Sequence, residues 1–230
     1  MVPPLTILID LDGTLMDTVP DLAAAANRMR RDFGLPPLPV RRIGRYVGKG
    51  TGILIHRTLS DDLDGRVDER TFLKGRESFN RHYHEVNGRE TAVFEGVRDG
   101  LRALAGAGLK LACVTNKPRE FTLPLLERLG LSGWFAQVVT GDDVKALKPD
   151  PAPLLEACRR LGCRPSEALM IGDSANDLRA AQAAGMTALL VETGYNEGAP
   201  LASLEGEAGL EGIVATLRDA ADRLLAPRKP

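Results

Sequence analysis

Apolar and polar positions follow two rhythms along this chain, and the change of rhythm divides it. Near the start, residues 5–9 form a short apolar run rich in β-formers that closes on Asp10. Such a run predicts a strand buried on both faces of a parallel sheet. Thr18-Val-Pro-Asp21 then reads as a helix start, with a capping hydroxyl, a proline in the first turn and an acid three residues on. This helix is expected to reach about Phe33 and to stop at Gly34 and the prolines Pro36, Pro37 and Pro39. Residues 40–86 contain no strongly apolar strand. Amphipathic segments at 53–59 and 72–83 are broken by the glycine-rich turn 48–52 and by the charged stretch 61–70, so the region reads as mostly helical.

Beyond residue 86, helices and strands alternate. The pattern predicts helix 97–107 before strand 109–115, helix 120–129 before strand 137–140, and helix 152–161 before strand 168–171. Helix 176–184 precedes strand 188–191, and a last helix is expected near 213–225, followed by a frayed end at 226–230. Strands alternating with helices imply a parallel sheet covered on both faces. The expected fold is therefore α/β: a doubly wound, Rossmann-like core with a mainly helical cap inserted after strand one. The core takes residues 1–16 and 87–230, and the cap takes 17–86.

Composition narrows the partners. The 30 basic and 31 acidic side chains give a net charge of -1, which argues against a nucleic-acid binder. Cys113, Cys158 and Cys163 form no CxxC pair and leave one cysteine over, which fits a reducing cytoplasm rather than a disulfide framework. The first residues carry no basic region before their short apolar run, and no stretch is apolar enough for a bilayer, so no membrane partner is expected. The pattern is silent on oligomeric state.

Ligands of open α/β sheets bind at the carboxyl ends of the strands. Four segments at or near those ends are polar: Asp10-Leu-Asp12-Gly13-Thr14, Thr115-Asn116-Lys117, Lys148-Pro-Asp150 and Gly172-Asp173-Ser174-Ala-Asn176-Asp177. Each has a plainer reading when taken alone. Asp and Gly are common turn residues, Thr115-Asn116 suits a helix cap before Pro118, Lys148 suits a solvated surface, and Asp173 suits a cap.

Together, in this order, the four segments resemble the haloacid-dehalogenase-like hydrolases over nearly the whole chain. Within that superfamily the chain is most similar to the bacterial phosphoglycolate phosphatases. The matching text is DLDGTLMDT, YVGKGTGILIHRTL, CVTNKP, TGDDVKALKPDPAPLL, GDSANDLRAAQAAG and TGYNEG. The resemblance implies an Mg²⁺-dependent phosphomonoesterase that works through an aspartyl-phosphate. In it Asp10 is the nucleophile, Asp12 the acid and base, and Lys148 the neutralising cation. Thr115 and Asn116 hold phosphate oxygens, and Asp177 orients Lys148 or metal-bound water. Asp10, the carbonyl of Asp12 and Asp173 ligate the metal, an oxygen set suited to a hard cation.

The expected substrate is a small phosphorylated acid, 2-phosphoglycolate first. Another small ester, pyrophosphate, or a phosphosugar mutase on the same scaffold stands as the alternative. A dehalogenase is disfavoured because Asp12 supplies an acid that only ester cleavage needs.

The turn Gly48-Lys49-Gly50 lacks the hydroxyl residue that a nucleotide phosphate loop has directly after its lysine. It reads either as a flexible turn or as a cap turn over the active site, with Gly48, Lys49 and Gly50 at the substrate. The related phosphatases usually carry Asn where this chain has Lys49. Arg57 could line the same face or sit in a surface salt bridge, and Tyr195 and Asn196 could border the site or serve only a loop. Cys113 reads as core. His56, His82 and His84 lack convergent spacing for a zinc site.

Overall fold

The computed structural model describes residues 6–226. The strand start expected at Leu5 and most of the frayed end, 227–230, lie outside them. The first half of the chain runs β1 (Thr6–Ile9), β2 (Met16–Asp17), α1 (Val19–Asp32), α2 (Val40–Gly44), α3 (Gly50–Ser60), α4 (Glu69–Val86), β3 (Ala92–Val93) and α5 (Val97–Gly106). The second half runs β4 (Lys110–Val114), α6 (Arg119–Arg128), β5 (Gln137–Val139), α7 (Ala152–Leu161), β6 (Ala168–Gly172), α8 (Ala175–Ala184), β7 (Thr187–Val191), β8 (Leu210–Val214) and α9 (Leu217–Leu225).

Six strands form one sheet in the order β5-β4-β1-β6-β7-β8, and every neighbouring pair is parallel. This is the doubly wound α/β core read from the sequence. Successive strand residues point to opposite faces. Ile7, Ile9, Leu111, Cys113, Leu169 and Ile171 share one cluster with Leu101 of α5, Leu125 of α6 and Ala220 of α9. Leu8, Ala112, Val114 and Met170 share the other with Leu154 of α7 and Leu178 of α8. The chain winds outward from β1 through β4 to β5, then crosses to β6 on the other side of β1. The crevice at the carboxyl end of β1 is therefore the topological switch point, where such sheets hold ligands.

The helices α1 to α4 pack around a third cluster that includes Met29, Ile43, Ile55, Phe79 and Tyr83, joined by Phe121 of α6. Among the described residues no helix is long and apolar enough to cross a membrane.

Three local expectations are corrected. Residues 210–214 are strand β8, and α9 starts only at Leu217. The strand is half-buried at the sheet edge and carries Glu211 and Gly212, which dilute its apolar signal. The Thr216–Asp219 capping box fixes where the helix begins. Thr18 does not cap α1: its hydroxyl is buried without a partner, and Asp17 Oδ1 accepts from Val19 N–H at 3.1 Å instead. Asp21 does not complete a capping box either. It accepts from Gly88, Glu90 and Thr91, on the segment that returns to the core.

The chain leaves the core at β2 and comes back at β3, and the two pair antiparallel, Met16 with Val93 and Asp17 with Ala92. This two-residue ribbon is too short to leave a periodic trace in the sequence.

Candidate active site

The carboxyl ends of β1, β4 and β6 bring the four polar segments together. Asp10 follows β1 and donates its N–H to Ile171 O at 3.0 Å, so its backbone is still held by β6. The chain then turns tightly, with Leu15 N–H donating to Leu11 O at 2.9 Å. Gly13 takes a positive φ of 89°, which favours glycine. A Cβ there would stand 2.5 Å from Asp173 Oδ2, and one at Gly194 would overlap the same oxygen. Two glycines thus form a cradle that only the Asp173 carboxylate fills.

Lys148 is the hub of the site. Its ammonium lies 2.8 Å from Asp10 Oδ1 and 2.7 Å from Asp177 Oδ1, and it donates to Val114 O at 2.9 Å. The contacts to Val114 and Asp177 are hydrogen bonds, and the one to Asp10 is an ion pair. Burial works against its charge, but Asp10 and Asp177 outweigh that and hold it protonated. Asp177 is fixed in turn by the N-terminus of α8, where it accepts from Ser174 N–H at 3.2 Å and from Ser174 Oγ–H at 2.8 Å. Asn116 clamps the loop carrying Lys148. Its Oδ1 accepts from Lys148 N–H at 2.8 Å, and its Nδ2 donates to Lys148 O at 2.9 Å and to Gly48 O at 3.0 Å. The Asn116 side chain is thereby occupied within the protein and ties the core to the turn above it. Thr115 is buried at the end of β4, where its hydroxyl accepts from Lys117 N–H at 3.2 Å.

Asp10, Asp173 and Asp177 offer carboxylate oxygens that all lie within 4.8 Å of one another. Asp173 accepts from Thr14 Oγ–H at 3.0 Å and from Tyr195 N–H at 2.9 Å. Asp10 Oδ1 is buried and, its ion pair with Lys148 apart, receives no aligned hydrogen bond. Burial pushes the Asp10 carboxyl up to about 7, with Asp177 and Asp12 adding to the shift and Lys148 opposing it. Burial, then Asp177 and Asp10, raise Asp173 well above the usual carboxylate range. Buried carboxylates crowded in this way favour a cation among them. An all-oxygen donor set fits a hard divalent ion. The side chain of Asp12 is not in this group. It faces Lys117, whose ammonium lies 3.0 and 3.3 Å from its two oxygens.

Asp10, Asp12 and the end of β4 open onto a narrow cleft between the sheet edge and the helices above. Asp10, Asp12, Thr115, Asn116 and Lys117 line its floor, while Leu22, Val47, Gly48, Gly50, Thr51 and Leu54 line its roof. Gly48 and Gly50 therefore stand at the cleft, but Lys49 does not. Its ammonium lies 3.0 Å from Glu197 Oε1, and the same oxygen is 2.7 Å from the buried Arg57. Arg57 is thus neither a cleft residue nor a surface one. Tyr195 supports Asp173 through its backbone and donates its hydroxyl to Asp17 Oδ1 at 2.8 Å. Asn196 Oδ1 accepts from Ala175 N–H at 2.9 Å, at the start of α8.

Two residues gained a place that sequence reasoning had not given them. Lys117 stood in a strand-end segment without a role, and its position beside Thr115-Asn116 was the only signal. Glu197 carried none.

The model of the haloacid dehalogenase-like hydrolases matches residues 7–191. The phosphoglycolate phosphatase of Nitrosospira multiformis is 45% identical over 218 residues, covering 95% of this chain and 94% of that protein. The phosphoglycolate phosphatase of Thiobacillus denitrificans is 42% identical over 219 residues, covering 95% of each chain. Among solved structures, a predicted phosphoglycolate phosphatase from Haemophilus somnus superimposes with a TM-score of 0.88 at 30% identity, covering 97% of this chain and 99% of that one.

Proposed function

The chain belongs to the haloacid dehalogenase-like hydrolases, and from that footing we propose that it is a phosphatase for 2-phosphoglycolate. The observation that carries the chemistry is Asp10: a buried carboxylate at the switch point, ion-paired to Lys148, facing the cleft, with no other donor on its buried oxygen. Similarity to phosphoglycolate phosphatases over nearly the whole chain supports the substrate.

In this reading Asp10 attacks phosphorus, a new oxygen–phosphorus bond forms, and the bond to the ester oxygen breaks. Asp12 gives its proton to the departing oxygen, so the alcohol leaves neutral at that position. Water then attacks the aspartyl-phosphate and Asp12 takes the proton back. The bond from phosphorus to Asp10 breaks, releasing inorganic phosphate and restoring the Asp10 carboxylate and the protonated Asp12. Lys148 holds Asp10 in place and offsets charge on the phosphoryl group. Thr115 and the backbone beside it hold phosphoryl oxygens, while Asn116 fixes the loop that presents Lys148. The roof residues Leu22, Val47 and Leu54 exclude bulk water from the cleft.

The carboxylates of Asp10 and Asp173, with the carbonyl of Asp12, are the groups that would hold Mg²⁺, and Asp177 would steady them through Lys148. Bound there, the ion would neutralise charge on the transferring phosphoryl group.

Phosphate release from a panel of small esters, sugar phosphates and pyrophosphate tests the proposal, with and without excess chelator. The expected result is a highest kcat/KM for 2-phosphoglycolate and loss of turnover in chelator. A wide preference for sugar phosphates or pyrophosphate would overturn the substrate, and full turnover in chelator would overturn the metal requirement.

A further inference from the structure

The cleft contains one cation beyond the phosphate site, and the mechanism above gives it no task. Among the described residues that line the cleft, Lys117 is the only lysine, arginine or histidine. It is 4% exposed, and its ammonium rests 4.9 Å above the Tyr83 ring. Among the described residues, Asp12 is its hydrogen-bond acceptor, at 3.0 and 3.3 Å. Asp12 and Tyr83 cover two sides of the ammonium, the Tyr83 hydroxyl making no aligned hydrogen bond, and the side that lines the cleft is open to a further acceptor. The other candidates for reading an anion are committed. Lys148 has three protein partners, Lys49 and Arg57 are joined to Glu197, and the Asn116 amide is clamped between Gly48 and Lys148. The roof offers only apolar side chains, two glycines and Thr51.

We propose that Lys117 is the specificity residue that binds the carboxylate of the leaving group. The inference rests on the phosphatase reading of the same site. Asp12, as the acid, must meet the ester oxygen that departs. In 2-phosphoglycolate a single methylene joins that oxygen to the carboxylate. A cation held against Asp12 is therefore also against a carboxylate one carbon away. With a longer spacer the carboxylate falls past the ammonium, toward the apolar roof. With no carboxylate, Lys117 is left with Asp12 and the neighbouring Tyr83 hydroxyl and loses its charge-assisted contact to substrate, which makes a neutral ester the poorer substrate. The pairing with Asp12 gives Lys117 a second effect common to all substrates, because it positions the acid.

The test uses three substrates on the full-length protein: 2-phosphoglycolate, its homologue with one more methylene, and ethyl phosphate. Wild type should prefer the first over both others. Lys117→Met should lower kcat/KM on all three through Asp12. It should also collapse the preference for 2-phosphoglycolate over ethyl phosphate by roughly 10- to 100-fold, the worth of one charge-assisted hydrogen bond. Glycolate should inhibit ethyl phosphate hydrolysis by wild type and do so much more weakly in the variant.

Loss of the same factor on both substrates would overturn the proposal and leave the phosphatase reading standing. No phosphate released from any ester by wild type would overturn that reading, and the proposal with it. If Lys117→Met does not fold, wild type still decides: equal kcat/KM on the two acids of different length, or on 2-phosphoglycolate and ethyl phosphate, would overturn the role given to Lys117.

Discussion

Asp10 and Asp21 are both buried carboxylates, and the protein treats them in opposite ways. Asp21 is 1% exposed and accepts four hydrogen bonds: Gly88 N–H at 2.9 Å, Glu90 N–H and Thr91 N–H at 3.0 Å, and Thr91 Oγ–H at 2.6 Å. Those donors sit on the segment returning to the core, so Asp21 ties the start of α1 to the second strand of the ribbon. Asp10 is 9% exposed, its Oδ1 meets Lys148 at 2.8 Å as an ion pair without an aligned hydrogen bond, and two other acids stand close by. A buried acid saturated with donors is complete and serves the fold. A buried acid left short costs stability unless something else arrives, and that marks a working site.

The widest break between the two should come from removing each charge. Asp10→Asn should cut kcat by at least about 10³-fold, the scale of losing a nucleophile, while leaving the unliganded protein as stable as wild type or more so. Asp21→Ala should do the reverse. It should cost about 2–4 kcal/mol, because it strips a charged acceptor from several buried donors, while the folded fraction loses less than tenfold in kcat. Kinetics together with urea melts decide. An Asp21→Ala protein that melts like wild type would show that saturation is not what Asp21 contributes.

Cation binding should separate the two acids by a smaller margin. Mg²⁺ at a hundredfold excess over its Kd should stabilise wild type by about 2.7 kcal/mol, read as a rise in Tm. Asp21→Ala should keep that rise and Asp173→Asn should lose most of it. An equal rise in Asp173→Asn would place the ion elsewhere.

The smallest effect concerns Glu197, an acid that is partnered but by the opposite layer. Burial alone would raise its carboxyl, but hydrogen bonds from Lys49 and Arg57 outweigh burial and hold it below the usual range. A lowered value means its stabilising share is complete above the unfolded value and is lost as pH falls through the folded one. Acidifying wild type below the ordinary glutamate range should therefore remove about 1 kcal/mol of contact between cap and core. Glu197→Gln should lack that part of the pH dependence and show a KM a few-fold higher at neutral pH. Identical acid profiles for the two proteins would contradict the role.

The sequence disclosed what is local and hid what is paired at a distance. Strand ends such as Ile9–Asp10 and Gly172–Asp173 were legible because an apolar run stops on an acid, and a sheet of this kind collects such ends on one edge. Lys117 had no visible task because Asp12, its partner, is 105 residues away. Lys49 lay in a glycine turn that does reach the cleft, yet the side chain goes to Glu197, 148 residues later. That partner depends on positive φ angles at Asn196 and Glu197, which neither residue type announces. Asp21 matched the pattern of a capping acid, and only the fold reveals the returning backbone that claims it. Strand β8 was hidden because an edge strand needs only half an apolar face.

In the proposed mechanism Asp10 becomes covalently phosphorylated during turnover. Quenching the enzyme with borohydride while it hydrolyses 2-phosphoglycolate would reduce an aspartyl-phosphate to homoserine, and peptide mass spectrometry would locate the change. The expected result is homoserine at position 10 alone, dependent on substrate and absent from Asp10→Asn. Homoserine at another aspartate, or none anywhere while phosphate is being released, would contradict it.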